Sequence, residues 1–174
     1  MKRAASSIAE KMIKVDHAGE NGAVNIYRAQ HLASTLRAPR LKPQLKHFQQ
    51  HEEEHREIFK TYLDSVGVRR CVSYHLNGLG GFALGLFTGL VGPSAVAATT
   101  YAVENVVLEH LEHQLEYLKD AEPEAFAAVS AIYEDEKAHH DQAKAQMQAD
   151  KLLSKILVRI VRTCTEAVIW FGMR

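Results

Sequence analysis

The 174-residue sequence predicts an all-α fold, a four-helix bundle with an internal duplication and two additional helices. Three observations support this prediction. Apolar residues recur at three- and four-residue steps through most of the chain, which is the spacing of one helix face. A pattern of glutamate and histidine residues occurs twice with identical spacing. Two further segments, one apolar and one amphipathic, lie outside the two repeated halves.

The composition is that of an ordinary globular protein, and we expect residues 1–174 to form a single domain. The 21 basic residues equal the 21 acidic residues, so bulk charge does not favour nucleic-acid binding. The two cysteines, Cys71 and Cys164, form no CxxC motif or disulfide framework, which suits a reducing compartment. The N-terminus is basic but no apolar segment follows it, so we expect no secretory signal peptide.

The first predicted helix covers residues 4–36, and its apolar stripe carries a carboxylate. Glu20 lies on or beside that stripe, with Gly19 and Gly22 next to it. Glycine lowers helix stability but lets another backbone approach closely. We therefore expect Glu20 to face a tightly packed interior.

The second predicted helix covers residues 41–66, and Pro43 suits its first turn. Glu52 and His55 lie in the middle of its apolar stripe. Polar groups in such positions are costly to bury unless a partner meets them. These two residues are therefore candidates for a functional site.

The third segment, residues 72–91, is apolar and rich in glycine. Its glycines at positions 81, 85 and 89 form one smooth face that permits close helix packing. The length could reach across a bilayer, but His75, Asn77 and the glycines weaken that interpretation. We favour a buried or membrane-dipping helix over a membrane-spanning one.

The fourth and fifth predicted helices cover residues 93–119 and 122–148. Glu104 is a single carboxylate in an otherwise apolar run, and no lysine or arginine lies within reach on the same helix. Glu136 and His139 lie on the inward stripe of the fifth helix. A lone buried carboxylate requires a cation, and a metal ion is the natural candidate.

The sixth predicted helix, residues 151–171, has a broad apolar face opposite a cluster of basic residues, with Trp170 near its end. A basic amphipathic helix with a terminal aromatic residue can lie on an anionic membrane. It can equally dock on the bundle with a solvated basic face. The sequence leaves both alternatives open.

The polar residues of these stripes follow one repeated pattern. In each half, 32 residues separate the first glutamate from the second, and a histidine follows three residues later. The members are Glu20, Glu52 and His55 in the first half and Glu104, Glu136 and His139 in the second. We interpret the pattern as a diverged duplication of a helix pair, with half-repeats at residues 4–66 and 93–149.

This residue set predicts a two-metal site in a ferritin-like bundle. One Glu from each of two helices and a Glu-x-x-His pair from each of the other two form the di-metal carboxylate site of such bundles. Four carboxylates neutralise two divalent cations, and oxygen and nitrogen ligands without sulfur favour iron or manganese over structural zinc. His110, Asp141 and Asp16 are candidates for supporting positions around the site, although a helix-surface role is an equal alternative for the two aspartates.

The stretch Val15–Ala23, VDHAGENGA, resembles the signature of the 5-demethoxyubiquinone hydroxylases of ubiquinone biosynthesis. Ala102-Val103-Glu104, Glu52-x-x-His55 and the run from Glu136 to Asp141 match the same family in order and spacing. The resemblance covers nearly the whole chain. It implies a membrane-associated six-helix oxidoreductase, a monooxygenase with two iron ions per chain, dioxygen as co-substrate, and NADH or another reductant as electron source.

The resemblance also implies roles for individual residues. Glu20 and Glu104 correspond to terminal iron ligands, Glu52 and Glu136 to bridging ligands, and His55 and His139 to one capping ligand each. His110 matches a family histidine near the site. Relatives can carry a tyrosine where this chain has Leu111, so this chain lacks the side chain that a role such as electron relay at that tyrosine would need.

The expected substrate is a polyprenyl quinol of the demethoxyubiquinol type, which would explain the apolar third segment and the amphipathic sixth. The resemblance implies peripheral association with the cytoplasmic side of a bacterial inner membrane, or the matrix side of the mitochondrial inner membrane in a eukaryote. The short N-terminus suggests a bacterial member. An accessory lipid-binding protein and a homo-oligomer are further expected partners.

Two other functions remain as alternatives at the level of sequence. The first is a ferritin-like iron-storage or peroxidase protein, which the uncharged stretch from Cys71 to Val103 disfavours because storage shells need polar outer faces. The second is a membrane carrier of quinones or lipids with a structural metal site, which would bind quinone without consuming dioxygen.

Overall fold

The computed structural model describes residues 2–149 and 151–174, and it confirms the all-α prediction. Six α-helices account for most of the described chain, with a short 3-10 helix at Pro39–Leu41. The helices are α1 Ile8–Arg37, α2 Lys42–Ser65, α3 Tyr74–Val91, α4 Pro93–Ala121, α5 Pro123–Gln146 and α6 Leu152–Met173.

The helix boundaries follow from local chemistry. Ser7 caps α1 by accepting a hydrogen bond from the Glu10 backbone N–H, and the Glu10 side chain accepts one from the Ser7 backbone in return. Proline occupies the first turns of α2, α4 and α5, where its missing N–H has no cost. Gly92 separates α3 from α4 with a φ of 121°, a conformation that other residues rarely adopt. The predicted segments agree with these helices to within a few residues, except that α1 begins later.

The helices pack as two groups around one interior. α1 packs against α2 and, most extensively, against α3, whereas α4 packs against α5 and α6. α2 meets α5 across the middle of the molecule. The largest apolar cluster lies at one end of this bundle and includes Ile13, Phe59 and Val129. This arrangement brings α1, α2, α4 and α5 around a common centre.

α3 and α6 flank the bundle and keep much of their apolar surface exposed. On α6, Leu157 and Val161 are buried, but Ile156 and Ile160 on the same broad apolar face are about half exposed. The docking interpretation of this helix therefore accounts for only part of its apolar face. Within residues 2–149 and 151–174, no helix is both long enough and apolar enough to cross a membrane.

Candidate functional site

Four helices each place one carboxylate in the interior of the bundle. Glu20 of α1, Glu52 of α2, Glu104 of α4 and Glu136 of α5 are all buried, the last three at 1% exposure. Each lies on the inward stripe of its helix, so helical periodicity alone directs it to the centre. His55 and His139 are buried with them because residues three apart share a helix face.

The structure brings all six predicted residues together in two overlapping groups. Within each group, one ligand atom from every residue lies within 4.8 Å of the others. The first group is Glu20, Glu52, His55 and Glu136, and the second is Glu52, Glu104, Glu136 and His139. Glu52 and Glu136 belong to both groups, so they lie between two candidate metal positions.

Each histidine faces a carboxylate of the opposite Glu-x-x-His helix. Nδ1 of His55 lies 2.9 Å from Oε1 of Glu136. Nδ1 of His139 lies 3.1 Å from Oε1 of Glu52. The two halves of the repeat therefore contribute to the cluster in a nearly symmetric way.

The electrostatics of this cluster are unfavourable without a cation. Burial raises the pKa of all four carboxyls well above the usual range, and repulsion between neighbouring carboxylates adds to the effect. Burial also lowers the pKa of His139 to about 3, so its imidazole is neutral. No lysine or arginine in the described ranges, 2–149 and 151–174, forms a salt bridge with these carboxylates.

Unpartnered polar atoms make the cluster compatible with bound metal ions. Within the described residues, Oε1 of Glu52, Oε2 of Glu136 and Nδ1 of His139 are buried and make no hydrogen bond of normal geometry, although the first and last of these atoms lie 3.1 Å apart. Buried polar atoms are nearly always satisfied in folded proteins, so these three require a ligand. Oxygen and neutral imidazole donors without sulfur suit iron or manganese. The metal-ligand role of the six residues remains a prediction that this geometry supports.

Three residues next to the cluster were not identified from the sequence. The Tyr27 hydroxyl donates a hydrogen bond to Oε1 of Glu104. Asp135 lies 3.3 Å from Nε2 of His55, and Nδ1 of His51 lies 3.2 Å from Nε2 of His139. His51 and Asp135 each directly precede the second glutamate of their half-repeat, which is the only sequence signal that could have indicated them.

The three candidate supporting residues have different positions. Asp141 contacts His140 rather than His139 and is largely exposed, so Asp135 takes the position expected for it. Asp16 accepts a hydrogen bond from Gln114 on α4, and among the described residues it forms no hydrogen bond with a histidine. His110 lies on the wall of a cavity beside the cluster.

That cavity has a volume of about 450 Å³ and lies between α1, α3, α4 and α6. Its wall is mostly aliphatic, with contributions such as Ile26, Leu84 and Val107. Glu20, Glu52, Glu104 and Glu136 line it as well, so the cavity reaches the carboxylate cluster. An apolar molecule bound in this cavity would have one end against the candidate metal positions.

The fold and site thus define a helical-bundle protein with a buried carboxylate–histidine cluster, compatible with a metal site, at the end of an apolar cavity. Sequence comparison then gives the family. The chain belongs to the family of ubiquinone biosynthesis protein COQ7, which it matches over residues 7–172. This match confirms the resemblance predicted from the VDHAGENGA stretch and the repeated motifs.

The sequences of individual relatives align with nearly the whole of this chain. The NADPH-dependent 3-demethoxyubiquinone 3-hydroxylase of Dictyostelium discoideum, a mitochondrial protein, is 31% identical over 96% of this chain and 77% of its own length. The 5-demethoxyubiquinone hydroxylase of Saccharomyces cerevisiae, also mitochondrial, is 31% identical over 98% of this chain and 80% of its own. The 3-demethoxyubiquinol 3-hydroxylase of Rhodospirillum rubrum is 29% identical over 97% of this chain and 79% of its own length.

Proposed function

We propose that this protein is a 3-demethoxyubiquinol 3-hydroxylase. It would insert one oxygen atom from dioxygen into the ring of a demethoxyubiquinol-type polyprenyl quinol during ubiquinone biosynthesis. The observation that carries the proposal is the convergence of the repeated glutamate and histidine set at the inner end of an apolar cavity, in a chain of the COQ7 family.

The cluster geometry supports a division of ligand roles between the two halves. Glu52 and Glu136 each belong to both groups and would bridge two iron ions. Glu20 with His55, and Glu104 with His139, would complete one position each. When bound, a di-iron centre supplies the electron transfer to dioxygen that no side chain can provide.

The surrounding residues would orient the ligands and the substrate. The Tyr27 hydroxyl holds Glu104, while Asp135 and His51 hold the outer nitrogens of His55 and His139. Such outer contacts select the tautomer and ring orientation of a metal-binding histidine. The aliphatic cavity wall would bind the first part of the isoprenoid tail and exclude water from the ring.

The remaining parts of the proposal concern the setting of the reaction. The reducing equivalents would come from NADH or another donor, and the substrate's tail would enter from a membrane. The exposed apolar surfaces of α3 and α6 support peripheral attachment at the inner face of a bacterial or mitochondrial inner membrane. An accessory lipid-binding protein and self-association are compatible with the same surfaces.

The first test is metal content and turnover in a matched pair of α4 variants. Glu104→Gln removes a buried carboxylate, and we expect a loss of bound iron and a fall in quinol hydroxylation on the order of 100-fold or more. Glu109→Gln is the control, because Glu109 lies on the same helix but is exposed and paired with Arg162. It should keep both properties.

Mössbauer spectroscopy of the anaerobic protein, before and after dioxygen, would identify the metal centre. Two coupled irons per chain that are oxidised by dioxygen are expected. Full turnover by Glu104→Gln would contradict the proposed function. Quinone binding without dioxygen consumption by the wild-type protein would instead favour the carrier alternative.

A further inference from the structure

A row of imidazoles connects the protein surface to the buried cluster. His47, His51 and His55 follow one another at four-residue intervals on α2, so they share one helix face. Their exposure falls along the row: His47 is exposed, the His51 side chain is 23% exposed, and the His55 side chain is 2% exposed. The row therefore runs inward from solvent to a candidate metal ligand.

The neighbouring rings are in contact along this row. The ring centroids of His47 and His51 are 4.1 Å apart, and those of His51 and His55 are 6.2 Å apart. The His51 ring also stacks on that of His139, with centroids 5.2 Å apart. Asp135 of α5 lies beside the row, with Oδ1 3.8 Å from Nδ1 of His51 and its side chain 46% exposed. Imidazole nitrogens and a carboxylate are the donors that divalent transition metals prefer.

The apolar cavity is an unfavourable route for an ion to the same cluster. Its wall is aliphatic, and a hydrated divalent cation would lose its water there without replacement ligands. The cavity approaches the carboxylates from α1, α3, α4 and α6, whereas the imidazole row approaches them along α2 and α5. The row offers ligands at each step from the surface.

We propose that His47 and His51, with Asp135 as the neighbouring carboxylate, form an outer binding site for divalent transition-metal ions, through which iron is loaded into the buried cluster. Two histidines four residues apart on a helix can hold one metal ion together. Since His47 is at the surface, its side chain can rotate to bring a ring nitrogen alongside that of His51. This proposal rests on the proposed function in one respect, because both require the buried cluster to bind iron.

Histidine chemistry makes this outer site a transient one. If His139 binds a metal through Nδ1, its Nε2 carries hydrogen and donates to Nδ1 of His51. His51 then carries its own hydrogen on Nε2 and cannot use that nitrogen for an outer ion. Therefore His139 cannot bind an inner ion through Nδ1 while His51 binds an outer ion through Nε2.

The test measures metal loading rather than turnover. Full-length protein freed of metal with a chelator is mixed with Co²⁺, and the absorbance of the ion follows the filling of the cluster. For His47→Ala, we expect loading at low Co²⁺ to slow roughly tenfold, with the final number of bound ions unchanged. His113→Ala, which removes an exposed histidine from α4, should load like the wild type.

A second measurement detects the outer site directly. Substoichiometric Co²⁺ should shift or broaden the NMR signals of the His47 ring before those of His113. Loading of His47→Ala at the wild-type rate, or equal effects on both rings, would overturn the outer site and leave the hydroxylase proposal intact. A wild-type protein that binds no Co²⁺ in the cluster would overturn both. Because His47 is exposed, circular dichroism should show unchanged helix content in the variant.

Discussion

At the scale of single residues, Asp16 and Gln114 form a pair with two unsatisfied atoms. Nε2 of Gln114 donates a hydrogen bond to Oδ1 of Asp16 at 3.0 Å, linking α1 to α4. Oδ2 of Asp16 and Oε1 of Gln114 are buried without a partner. A proton on Oδ2 would give both atoms a partner, because a carboxylic acid and an amide can exchange two hydrogen bonds.

This pair predicts a pH dependence of stability. Burial raises the pKa of Asp16 to about 7 from its ordinary value of 3.8. Between these two values the folded state binds more protons than the unfolded state, so the contribution of Asp16 to the free energy of unfolding falls as pH rises. That contribution is fully present below the unfolded pKa and is lost as pH rises through the folded pKa.

Asp16→Asn should remove this dependence while keeping both hydrogen bonds, since two amides can pair in the same way. We expect the variant to match the wild type near pH 4 and to be more stable at pH 8 by roughly 1–3 kcal/mol. Urea unfolding of both metal-free proteins at the two pH values measures the difference. A stability difference that is the same at both pH values would show that Asp16 is not held as a neutral acid.

At the scale of helices, the close contact between α1 and α3 depends on glycines in α3, which have no side chain to keep the two backbones apart. A Cβ atom at Gly81 would overlap the carbonyl oxygen of Gly22, and one at Gly85 would overlap that of Ile26. The predicted smooth glycine face therefore packs against the backbone of α1. This contact places α3 along one wall of the cavity.

Gly81→Ala should destabilise the protein by about 1–3 kcal/mol, because the backbone of α1 must move away. Gly80→Ala is the matched control: its Cβ would meet nothing within 4 Å, and alanine is favoured over glycine in a helix by up to about 1 kcal/mol. Thermal unfolding should show a lower midpoint for the first variant and an unchanged or higher midpoint for the second. The same midpoint for both would mean that α3 does not pack on α1 in this way.

Helical periodicity explains how much of the site was predictable from the sequence. A ligand on the inward stripe of its own helix, such as Glu104, is visible as a lone charge among apolar residues. Tyr27, His51 and Asp135 were missed because their contacts run between helices, and those depend on how each helix is rotated against its neighbour. The sequence also did not decide between docking and membrane contact for α6. Its apolar face is broader than the part that packs on the bundle, and that part depends on how the helix is rotated.

At the scale of the whole molecule, apolar side chains are exposed mainly on α3 and α6. On these two helices the most exposed are Leu76 and Leu79 of α3 and Leu152 of α6, all at about 70% exposure. Both helices line the cavity that reaches the carboxylate cluster. An apolar surface on the two helices that line the cavity, accompanied by basic side chains on α6, favours contact with an anionic membrane.

Trp170 reports on this contact because it is the only tryptophan in the chain and is 57% exposed on α6. Its fluorescence should shift to shorter wavelength when vesicles containing anionic lipid are added, since the ring would leave water for the interface. Replacing Leu152 and Ile156 together with glutamate should weaken vesicle binding roughly tenfold or more, because two apolar side chains lose their burial. Tyr117→Ser, an exposed position on α4, serves as the control.

High salt should reduce binding to anionic vesicles more than binding to neutral ones, because only the former depends on the basic residues of α6. The glutamate variant should still bind Co²⁺ in its cluster, which separates membrane contact from an intact metal centre. Trp170 fluorescence that is unchanged by vesicles at any lipid concentration would show that the α6 surface does not bind a membrane. A concentration-dependent dimer on sizing would then identify a second copy of this chain as the partner.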